Sequence, residues 1–488
     1  MITRALLNGN AGGDASHYVI QGLCGKIGNK MNYIGTRGFN APRTFAGALL
    51  DGLAPDGGLY VPETYPIPDF DLNATAAGDY GHLTEKLLTL FGVDVLGADA
   101  VKAAAAKTRA AFLNNDKTPL VQVEDNLWIL ELWHGPTLAF KDMAMQMIAP
   151  LTDAALAQNG EKLTLVTATS GDTGAAAVRA FAGSEHVKLV VFHPLGRVSP
   201  VQRLQMTTVE ADNVLNIGVE GDFDDCQRMV KRLLGEESLK QNGLISSVNS
   251  INWGRLLGQV PYYLAAAAAS GAEKPEFVVP TGNFGDAFAG WVGREIGGNI
   301  GHIHAAVNRN DALAQAINTG QYVRHQAVET ASVSMDVQAP SNFERLVFEA
   351  SGRHAEGTKG VFDNFNATGN VHLSGDLQDA LRSQVTASTI SEAETAQTIK
   401  YAHDKWGKII CPHTAVAVAA ALKRDNGQPI IALSTAHAAK FPDFVTKALG
   451  FAPEVPEAIQ KLHGLKENIT PIRNDEFAAL EAVKAFAD

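Results

Sequence analysis

The strongest constraint on the fold is a repeated order of short apolar runs, glycine-containing turns and helical stretches. Residues 162–166 and 187–192 read as two strands, and residues 276–279 and 429–433 repeat the pattern. These runs are almost continuously apolar, which is typical of strands whose two faces are both covered by helices. The sequence therefore predicts an α/β fold built on parallel sheets.

The chain, at 488 residues, is too long for one ordinary hydrophobic core and predicts two or three domains. We expect an N-terminal domain over residues 31–115. A large domain is expected to combine residues 116–148 with residues 275–488, and a small domain to span residues 149–274. No internal repeat is found.

Residues 1–30 are an unassigned extension, because they show no strand or helix periodicity. They lack the apolar segment of about 7–15 residues that a secretory signal contains. A start-site or cloning artefact ahead of Met31 is the favoured interpretation, and a weak organelle-targeting segment is the alternative. We expect a chain that begins at Met31 to fold and turn over unchanged.

Charge and cysteine usage restrict the class of protein. The 52 acidic and 40 basic residues leave a net charge of -12, which argues against nucleic acid as the partner. No apolar run approaches the roughly 20 residues that cross a bilayer, so no membrane association is predicted. The three cysteines show no CxxC pair, which predicts neither a disulfide framework nor a metal site. A cytoplasmic enzyme or binding protein is expected.

Lys141 is the first candidate for chemistry. It follows the apolar run 138–140 and precedes a methionine-rich stretch, residues 142–148, that reads as a helix. A lysine at such an edge is costly unless it is paired, neutralised or covalently used. Burial lowers the pKa of a lysine, and a Schiff-base nucleophile needs this. Read alone, the segment favours a surface lysine beside Asp142.

Three loops follow predicted strands and carry hydroxyls or glycines. Residues 169–174 precede a helix, so their amides and hydroxyls could bind an anion, although an ordinary helix cap fits as well. Residues 281–286 suit a monophosphate, since they contain neither GxGxxG nor a Walker lysine; a tight turn is the alternative. Residues 433–437 could offer a hydroxyl to a heterocycle, or form a simple turn at the strand end.

Four motifs in the same order carry a resemblance to a known family. They are HGPTLAFKD, which contains Lys141, followed by SGDTG, PTGNFGD and LSTAHAAKF. Together they closely resemble the longer subfamily of threonine synthases, over nearly all of the chain after residue 30. That family belongs to the tryptophan-synthase-β-like group. The resemblance implies a fold type II pyridoxal-phosphate enzyme, with two parallel-type α/β domains plus an N-terminal domain and pyridoxal 5'-phosphate as cofactor.

The resemblance also implies how the cofactor is held. Lys141 is expected to form the Schiff base and to shuttle protons, and Thr435 to meet the pyridine nitrogen. The cofactor phosphate is expected on the loop formed by Gly282, Asn283, Phe284, Gly285 and Asp286. Asp286 is expected to contribute its backbone amide or a cap rather than its carboxylate.

Substrate contacts are implied in the same way. Ser170, Asp172 and Thr173 are expected to face the cofactor and the amino-acid carboxylate. Related enzymes often have Asn at the position of Asp172, and an acid there would repel a phenolate unless it were protonated or turned away. The substrate phosphate is expected near residues that offer forked or neutral donors, or else serve ordinary surface and turn roles: Arg197, Ser199, Asn249, Asn252 and Arg255.

The implied reaction converts O-phospho-L-homoserine and water to L-threonine and phosphate. It is a γ-elimination followed by β-addition of water, in which Lys141 is the base and the cofactor ring delocalises negative charge. Such an enzyme is a carbon–oxygen lyase of threonine and amino-acid biosynthesis, expected as a monomer or homodimer that closes over its substrate. The alternatives are a phospho-lyase, which releases a 2-oxo acid from phosphohomoserine or phosphothreonine, and a non-catalytic binding protein, which the presence of Lys141 disfavours.

Overall fold

A computed structural model describes residues 31–240, 243–424 and 427–487 of the chain. The extension 1–30, and with it the expected dispensability of that segment, lies outside the described residues. The strands are β1 (Tyr33–Gly35), β2 (Tyr60–Pro62), β3 (Leu120–Glu124), β4 (Leu127–Glu131), β5 (Leu163–Ala168), β6 (Val187–Pro194), β7 (Val214–Glu220), β8 (Leu244–Ser247), β9 (Glu276–Pro280), β10 (Ile303–Val307), β11 (Gln321–Val323), β12 (Asn370–His372), β13 (Val385–Thr389), β14 (Ile430–Ser434) and β15 (Thr470–Arg473).

The α-helices are α1 (Phe45–Asp51), α2 (Leu72–Ala76), α3 (Tyr80–Leu90), α4 (Ala98–Phe112), α5 (Lys141–Asn159), α6 (Asp172–Phe181), α7 (Pro200–Thr207), α8 (Phe223–Leu234), α9 (Glu237–Lys240), α10 (Trp253–Leu257), α11 (Val260–Ser270), α12 (Gly285–Glu295), α13 (Ala312–Thr319), α14 (Phe343–Ala350), α15 (Ala355–Thr368), α16 (Gly375–Gln384), α17 (Glu392–Trp406), α18 (Pro412–Lys423), α19 (Pro442–Leu449), α20 (Glu457–Gln460) and α21 (Glu476–Ala487). Short 3-10 turns cover Val93–Leu96, Val333–Met335 and Ala438–Lys440.

The larger sheet has six strands in the order β13-β10-β9-β14-β4-β3. Its first five strands are parallel, and β3 is an antiparallel edge strand joined to β4 by a short turn. The strands predicted at 276–279 and 429–433 correspond to β9 and β14, and both are buried along their whole length. The prediction of a parallel α/β sheet is confirmed here, because helices cover both faces of these strands.

The smaller sheet has five parallel strands in the order β15-β7-β6-β5-β8. The strands predicted at 162–166 and 187–192 are β5 and β6, which lie beside each other at its centre. The glycine-containing turn after β5 leads directly into α6, as the sequence predicted. The helix starts at Asp172, three residues before the predicted start.

The position of the C-terminal strand β15 disagrees with the predicted domain division. That division placed residues 275–488 with the large sheet, whereas β15 pairs with β7 at the edge of the small sheet. Helix α21 then packs its buried Ala479 and Val483 into the core of the same sheet. No strong signal marks β15 in the sequence, because its four residues are mostly exposed. The other domain boundaries remain predictions.

The N-terminal segment contains helices α1 to α4 and the small antiparallel pair β1–β2. It is attached to the large-sheet region through Arg37, whose Nε and Nη2 donate to the two carboxylate oxygens of Glu344 at 2.9 and 2.7 Å. Thr36 Oγ1 donates to the same carboxylate at 2.6 Å. A bidentate pair of this kind fixes orientation as well as distance.

The alanine-rich helix α11 is packed inside the protein, with Val260–Ala267 all buried. Across the three described ranges, no helix combines the length and apolar character that a membrane span requires. Strands β4, β14 and β9 lie side by side and parallel, so their carboxyl ends meet at one edge of the large sheet. Ligands of parallel sheets collect at that edge.

Candidate active site

Lys141 is the first residue of α5, immediately after the loop that leaves β4. That loop is bound to the segment that follows β14. The Phe140 N–H donates to the Thr435 carbonyl at 2.8 Å, and the His437 N–H donates to the Leu138 carbonyl at 3.1 Å. The structure therefore brings two of the four motifs together through their backbones.

Asp142 clamps the turn that precedes Lys141. Its carboxylate accepts from the Thr137 backbone N–H at 2.8 Å and from the Thr137 hydroxyl at 2.7 Å. Burial raises the pKa of Asp142 to about 6, against the opposing effect of these hydrogen bonds. A Cβ at Gly135 would lie 2.5 Å from this carboxylate, so the turn needs glycine there. Asp142 is thus committed to the turn and is not a surface partner of Lys141.

The Lys141 ammonium lies in a buried, mainly cationic environment. Its Nζ is 3.5 Å from Asp172 Oδ2, and its side chain is 11% exposed. Burial lowers the pKa of Lys141, Arg255 and Lys440 push it in the same direction, and Asp172 opposes them. The surface-lysine interpretation is therefore wrong, since the amine is enclosed and biased towards its neutral, nucleophilic form.

Asp172 lies between two lysines. Lys440 Nζ is 2.9 Å from Asp172 Oδ1, and Gln202 Nε2 donates to the same oxygen at 2.8 Å. Burial alone would raise the pKa of Asp172, but Lys440, Lys141 and Gln202 outweigh it and hold that pKa well below its ordinary value. The carboxylate is therefore ionised. The expectation that it is protonated or turned away is replaced by a third arrangement, neutralisation by Lys440.

The loop 169–174 is organised around Thr169. Its hydroxyl accepts from the Gly171 and Gly174 backbone N–H groups at 2.9 and 3.0 Å. The side chains of Ser170 and Thr173 make no hydrogen bond within the described ranges and remain available at the start of α6. A helix start with free hydroxyls and amides is suited to a carboxylate.

The loop after β9 exposes a row of backbone N–H groups. Within the described part of the chain, the amides of residues 282–286 donate to no acceptor. A Cβ at Gly282 would lie 2.5 Å from the Ser334 carbonyl oxygen, so only glycine fits. Phe284 adopts the left-handed region, with φ 64°, a conformation that occurs where successive amides form a nest. Such a nest of amides at a helix start binds anions.

Asp286 takes no part in this nest through its carboxylate. The phenol of Tyr262 and that of Tyr263, the latter at 2.7 Å, donate to its Oδ1. Burial raises the pKa of Asp286 to about 6, against the lowering effect of the two tyrosines. Its side chain therefore links α11 to α12 through hydrogen bonds in the interior. Its backbone amide is the group that remains available to the loop.

Thr435 directly follows the last residue of β14 and is buried. Its hydroxyl has no hydrogen-bond partner among the described residues, while its neighbour Ser434 accepts from Trp133 Nε1 at 3.0 Å. A hydroxyl without a protein partner can donate to or accept from a ligand. Thr435 therefore offers one neutral donor or acceptor at the same edge as Lys141.

Arg255 is the buried cation of the predicted substrate side. Its closest acceptor is the Val248 carbonyl at 3.5 Å, and its Nε has no partner in the described ranges. Burial lowers the pKa of Arg255 to about 10. The guanidinium is charged at neutral pH and short of acceptors, which suits an anionic ligand.

The other predicted phosphate ligands are placed differently. Arg197 is exposed on the loop after β6. Ser199 caps α7 and donates to Gln202 Oε1 at 2.9 Å. Asn252 caps α10 through Gly254 N–H and donates to the Leu49 carbonyl at 2.7 Å. Asn249 accepts from the Ile251 N–H at 3.3 Å. The last three side chains have local structural partners, and their contact with substrate stays a prediction.

Sequence reasoning missed two residues of the site. Lys440 lies within LSTAHAAKF, but its motif alone did not indicate where its side chain points. His413 begins α18 and accepts from the Ser334 N–H through Nε2 at 3.1 Å, which leaves the proton of the neutral ring on Nδ1 without a partner. Burial lowers the pKa of His413 to about 4. The sequence around His413, Pro412-His413-Thr414, is a common start of a helix and does not by itself indicate a site residue.

Family models match three stretches of the chain. A pyridoxal-phosphate dependent enzyme model covers residues 111–363, the most central and longest of the three. A threonine synthase N terminus model covers residues 32–108, and a threonine synthase C-terminal model covers residues 414–486. The three together cover the N-terminal segment, the small sheet and every strand of the large sheet except β13.

Relatives match along nearly their full lengths. The threonine synthase of Pseudomonas aeruginosa is 39% identical over 462 residues, covering 93% of this chain and 98% of that protein. The threonine synthase of Saccharomyces cerevisiae is 36% identical and covers 91% of this chain and 95% of that one. Threonine synthase-like 2 of Rattus norvegicus is 35% identical with the same two coverages.

Solved structures of threonine synthases have the same fold as this chain. The PLP-bound threonine synthase from Brucella melitensis superposes with a TM-score of 0.90 at 41% identity, over 94% of this chain and 99% of that one. The yeast threonine synthase gives 0.88 at 33% identity, over 94% and 98%. The fold is therefore that of the fold type II pyridoxal-phosphate enzymes, as predicted. The chain belongs to the threonine synthase family of pyridoxal-phosphate-dependent enzymes.

Proposed function

We propose that this chain converts O-phospho-L-homoserine and water to L-threonine and inorganic phosphate, as a carbon–oxygen lyase acting on phosphates. The observation that carries the proposal is the Lys141 amine, which is buried, biased towards the neutral form and surrounded by two loops with free donors. A monomeric or homodimeric state and a cytoplasmic location belong to the same proposal as predictions from the sequence.

The residues present fit pyridoxal phosphate. The amides of residues 282–286 have no acceptor within the described part of the chain and could donate to a phosphate monoester, and glycine is needed at 282 because a Cβ there would meet Ser334. The Thr435 hydroxyl offers the ring nitrogen a neutral partner, and Lys141 is the amine that would hold the aldehyde carbon. When bound, the cofactor supplies an electron sink for negative charge at the substrate carbons.

Lys141 is proposed to act as the base once the substrate amine has displaced it. A neutral amine is needed for this role, and the burial of Lys141 together with the nearby cations Arg255 and Lys440 lowers its pKa. Proton transfer by a positioned side chain is most effective when the pKa of that side chain lies near the operating pH. Nζ at the start of α5 would take the proton from the substrate α-carbon and return protons to later carbons.

The two ends of the substrate are proposed to bind to different loops. The carboxylate is assigned to Ser170 and Thr173, whose hydroxyls are unused at the start of α6. The phosphate is assigned to Arg255, because a buried guanidinium with one long hydrogen bond requires an anion to complete its donors. Binding at both ends would exclude water from the reacting carbons between them until the addition step.

Product analysis tests the proposal. Purified protein is incubated with O-phospho-L-homoserine, and threonine and phosphate are measured together. The proposal predicts a one-to-one ratio and little reaction with homoserine, which lacks the anion for Arg255. Phosphate accompanied by 2-oxobutanoate and no threonine would assign the chain to the phospho-lyase alternative.

A further inference from the structure

The second buried lysine of the site, Lys440, contributes to the lowered pKa of Lys141, but its own contacts suggest a more specific role. It is 0% exposed. Its Nζ donates to the Thr137 carbonyl at 2.6 Å and to Gln205 Oε1 at 2.9 Å, and it lies 2.9 Å from Asp172 Oδ1. An ammonium has three donors and no acceptor, so all three N–H bonds of a charged Lys440 are used. A neutral amine would leave one of these acceptors unmatched.

The two lysines therefore differ in a way that the sequence does not reveal. Lys440 is locked by three acceptors, whereas Lys141 has one carboxylate partner within 4 Å in the described part of the chain, Asp172 at 3.5 Å. A locked ammonium cannot serve as a nucleophile. Lys141 is the amine that retains its freedom to lose a proton.

We propose that Lys440 is a positioning residue that neutralises Asp172, so that Asp172 orients the Lys141 amine without holding it in the protonated form. The proposal rests on the role of Lys141 given above and adds a residue that acts through Asp172. The three side chains form one unit in which Asp172 Oδ1 faces Lys440 and Asp172 Oδ2 faces Lys141.

Charge balance supports this unit. With Lys440 charged and Asp172 ionised, a neutral Lys141 leaves the unit with no net charge. Protonation of Lys141 would add an uncompensated positive charge in a buried site, which is unfavourable at low dielectric. Without Lys440, Asp172 would be an unpaired buried anion, and Lys141 would have to remain protonated to compensate it.

Other charged and titratable groups face this unit and bear on the pH dependence. Arg255 on α10 opposes protonation of Lys141, and Asp286 on α12 interacts with Lys141 more weakly while bound to two tyrosines. His413 on α18 faces Asp172 and both lysines and has a lowered pKa. Cys411, ahead of the same helix, faces Asp172, and burial raises the pKa of its thiol. None of these groups lies within 4 Å of Asp172 in the described ranges as an ion-pair partner, so Lys440 has no substitute.

Lys440→Met provides the test. The full-length chain, freed of cofactor, is treated with an amine-acylating reagent at a series of pH values, and modification of the peptide containing Lys141 is followed by mass spectrometry. Lys440→Met should raise the apparent pKa of Lys141 and slow its labelling about tenfold or more at neutral pH, since one pKa unit changes the neutral fraction about tenfold. The pH profile of kcat in the holoenzyme should shift in the same direction.

A second variant separates positioning from simple structural support. Lys440→Met combined with Asp172→Asn removes both charges, so Lys141 labelling at neutral pH should return to at least the wild-type rate even if the melting temperature stays low. Lys188→Met is the matched control. Lys188 is a partly buried lysine that donates to the carbonyls of Phe486 and Ala487 at 2.7 and 2.9 Å, outside the site, and its loss should leave Lys141 labelling unchanged.

Two results would overturn the proposal. The first is an unchanged pH profile of Lys141 labelling in folded Lys440→Met, which would reduce Lys440 to a packing role. The second is a double variant as slow as the single one. Failure of the proposed function is a separate outcome, since it would appear as cofactor bound to a different lysine or as a different product, whatever the labelling profile.

Discussion

The Phe140 backbone N–H donates to the Thr435 carbonyl oxygen at 2.8 Å. This bond ties the residue before Lys141 to the strand end that carries the Thr435 hydroxyl. Because the backbone makes the connection, a change of the Thr435 side chain leaves Lys141 in place. The two residues can therefore be tested independently.

Lys141→Ala should abolish covalent attachment of the cofactor. The wild-type protein is expected to be yellow, and borohydride reduction should add the cofactor mass to the peptide that contains Lys141. The variant should lack the mass on that peptide while retaining its fold by circular dichroism. Lys408→Ala is the control, because Lys408 is paired with Glu131 at 2.8 Å. Addition of the cofactor mass to the peptide that contains Lys440 in the wild-type protein would contradict the assignment of Lys141.

Thr435 should determine how strongly the cofactor ring is held. Thr435→Ser keeps the hydroxyl and should retain most activity. Thr435→Val leaves the ring nitrogen without a partner and should weaken cofactor binding by about 1–3 kcal/mol, the usual cost of an unsatisfied buried polar group. Thr435→Asp should protonate the ring, promote transamination and slow turnover. Equal cofactor affinity in Thr435→Val and wild type, measured by fluorescence titration, would remove Thr435 from the site.

Gly282→Ala should weaken cofactor binding at least about tenfold, because the new Cβ would sit 2.5 Å from the Ser334 carbonyl and force the amide cradle open. Gly360→Ala is a matched control: Gly360 is inside α15, and a Cβ there meets nothing within 4 Å. It should stabilise the protein slightly, by roughly 0.5–1 kcal/mol. Dialysis against buffer without cofactor, followed by absorbance, measures cofactor retention in both variants. Equal cofactor retention in the two variants would place the phosphate elsewhere.

Arg255→Gln should raise KM for phosphohomoserine roughly 10- to 100-fold, since hydrogen bonds to charged groups contribute about 1.5–3 kcal/mol. Arg197→Gln is the paired variant. Both arginines were predicted to face the phosphate, but Arg197 is exposed, and an exposed cation contributes less. Steady-state kinetics with inorganic phosphate as a competitor distinguish them. A larger effect at Arg197 than at Arg255 would reverse the assignment of the substrate side.

The sequence predicted the parallel sheets and their loops because each signal is local, whereas the role of Lys141 was predicted from the resemblance that four motifs carry together. Apolar runs locate β5, β6, β9 and β14, and the glycines locate the turns that follow them. Partnerships between distant segments leave no such signal. Lys440 lies about 270 residues after Asp172 along the chain, and only folding shows that it neutralises that acid. The residues of β15 were included in the large domain for the same reason, since a short, exposed edge strand is recognised by its partner and not by its composition.

The oxygen that water contributes to the product tests the central claim most directly. The protein is incubated with O-phospho-L-homoserine in water enriched in oxygen-18, and the products are analysed by mass spectrometry. Elimination of phosphate followed by addition of water predicts one oxygen-18 atom in threonine and none in phosphate, because the bond broken is carbon–oxygen. Oxygen-18 in phosphate together with unlabelled homoserine would show plain hydrolysis and contradict the assignment.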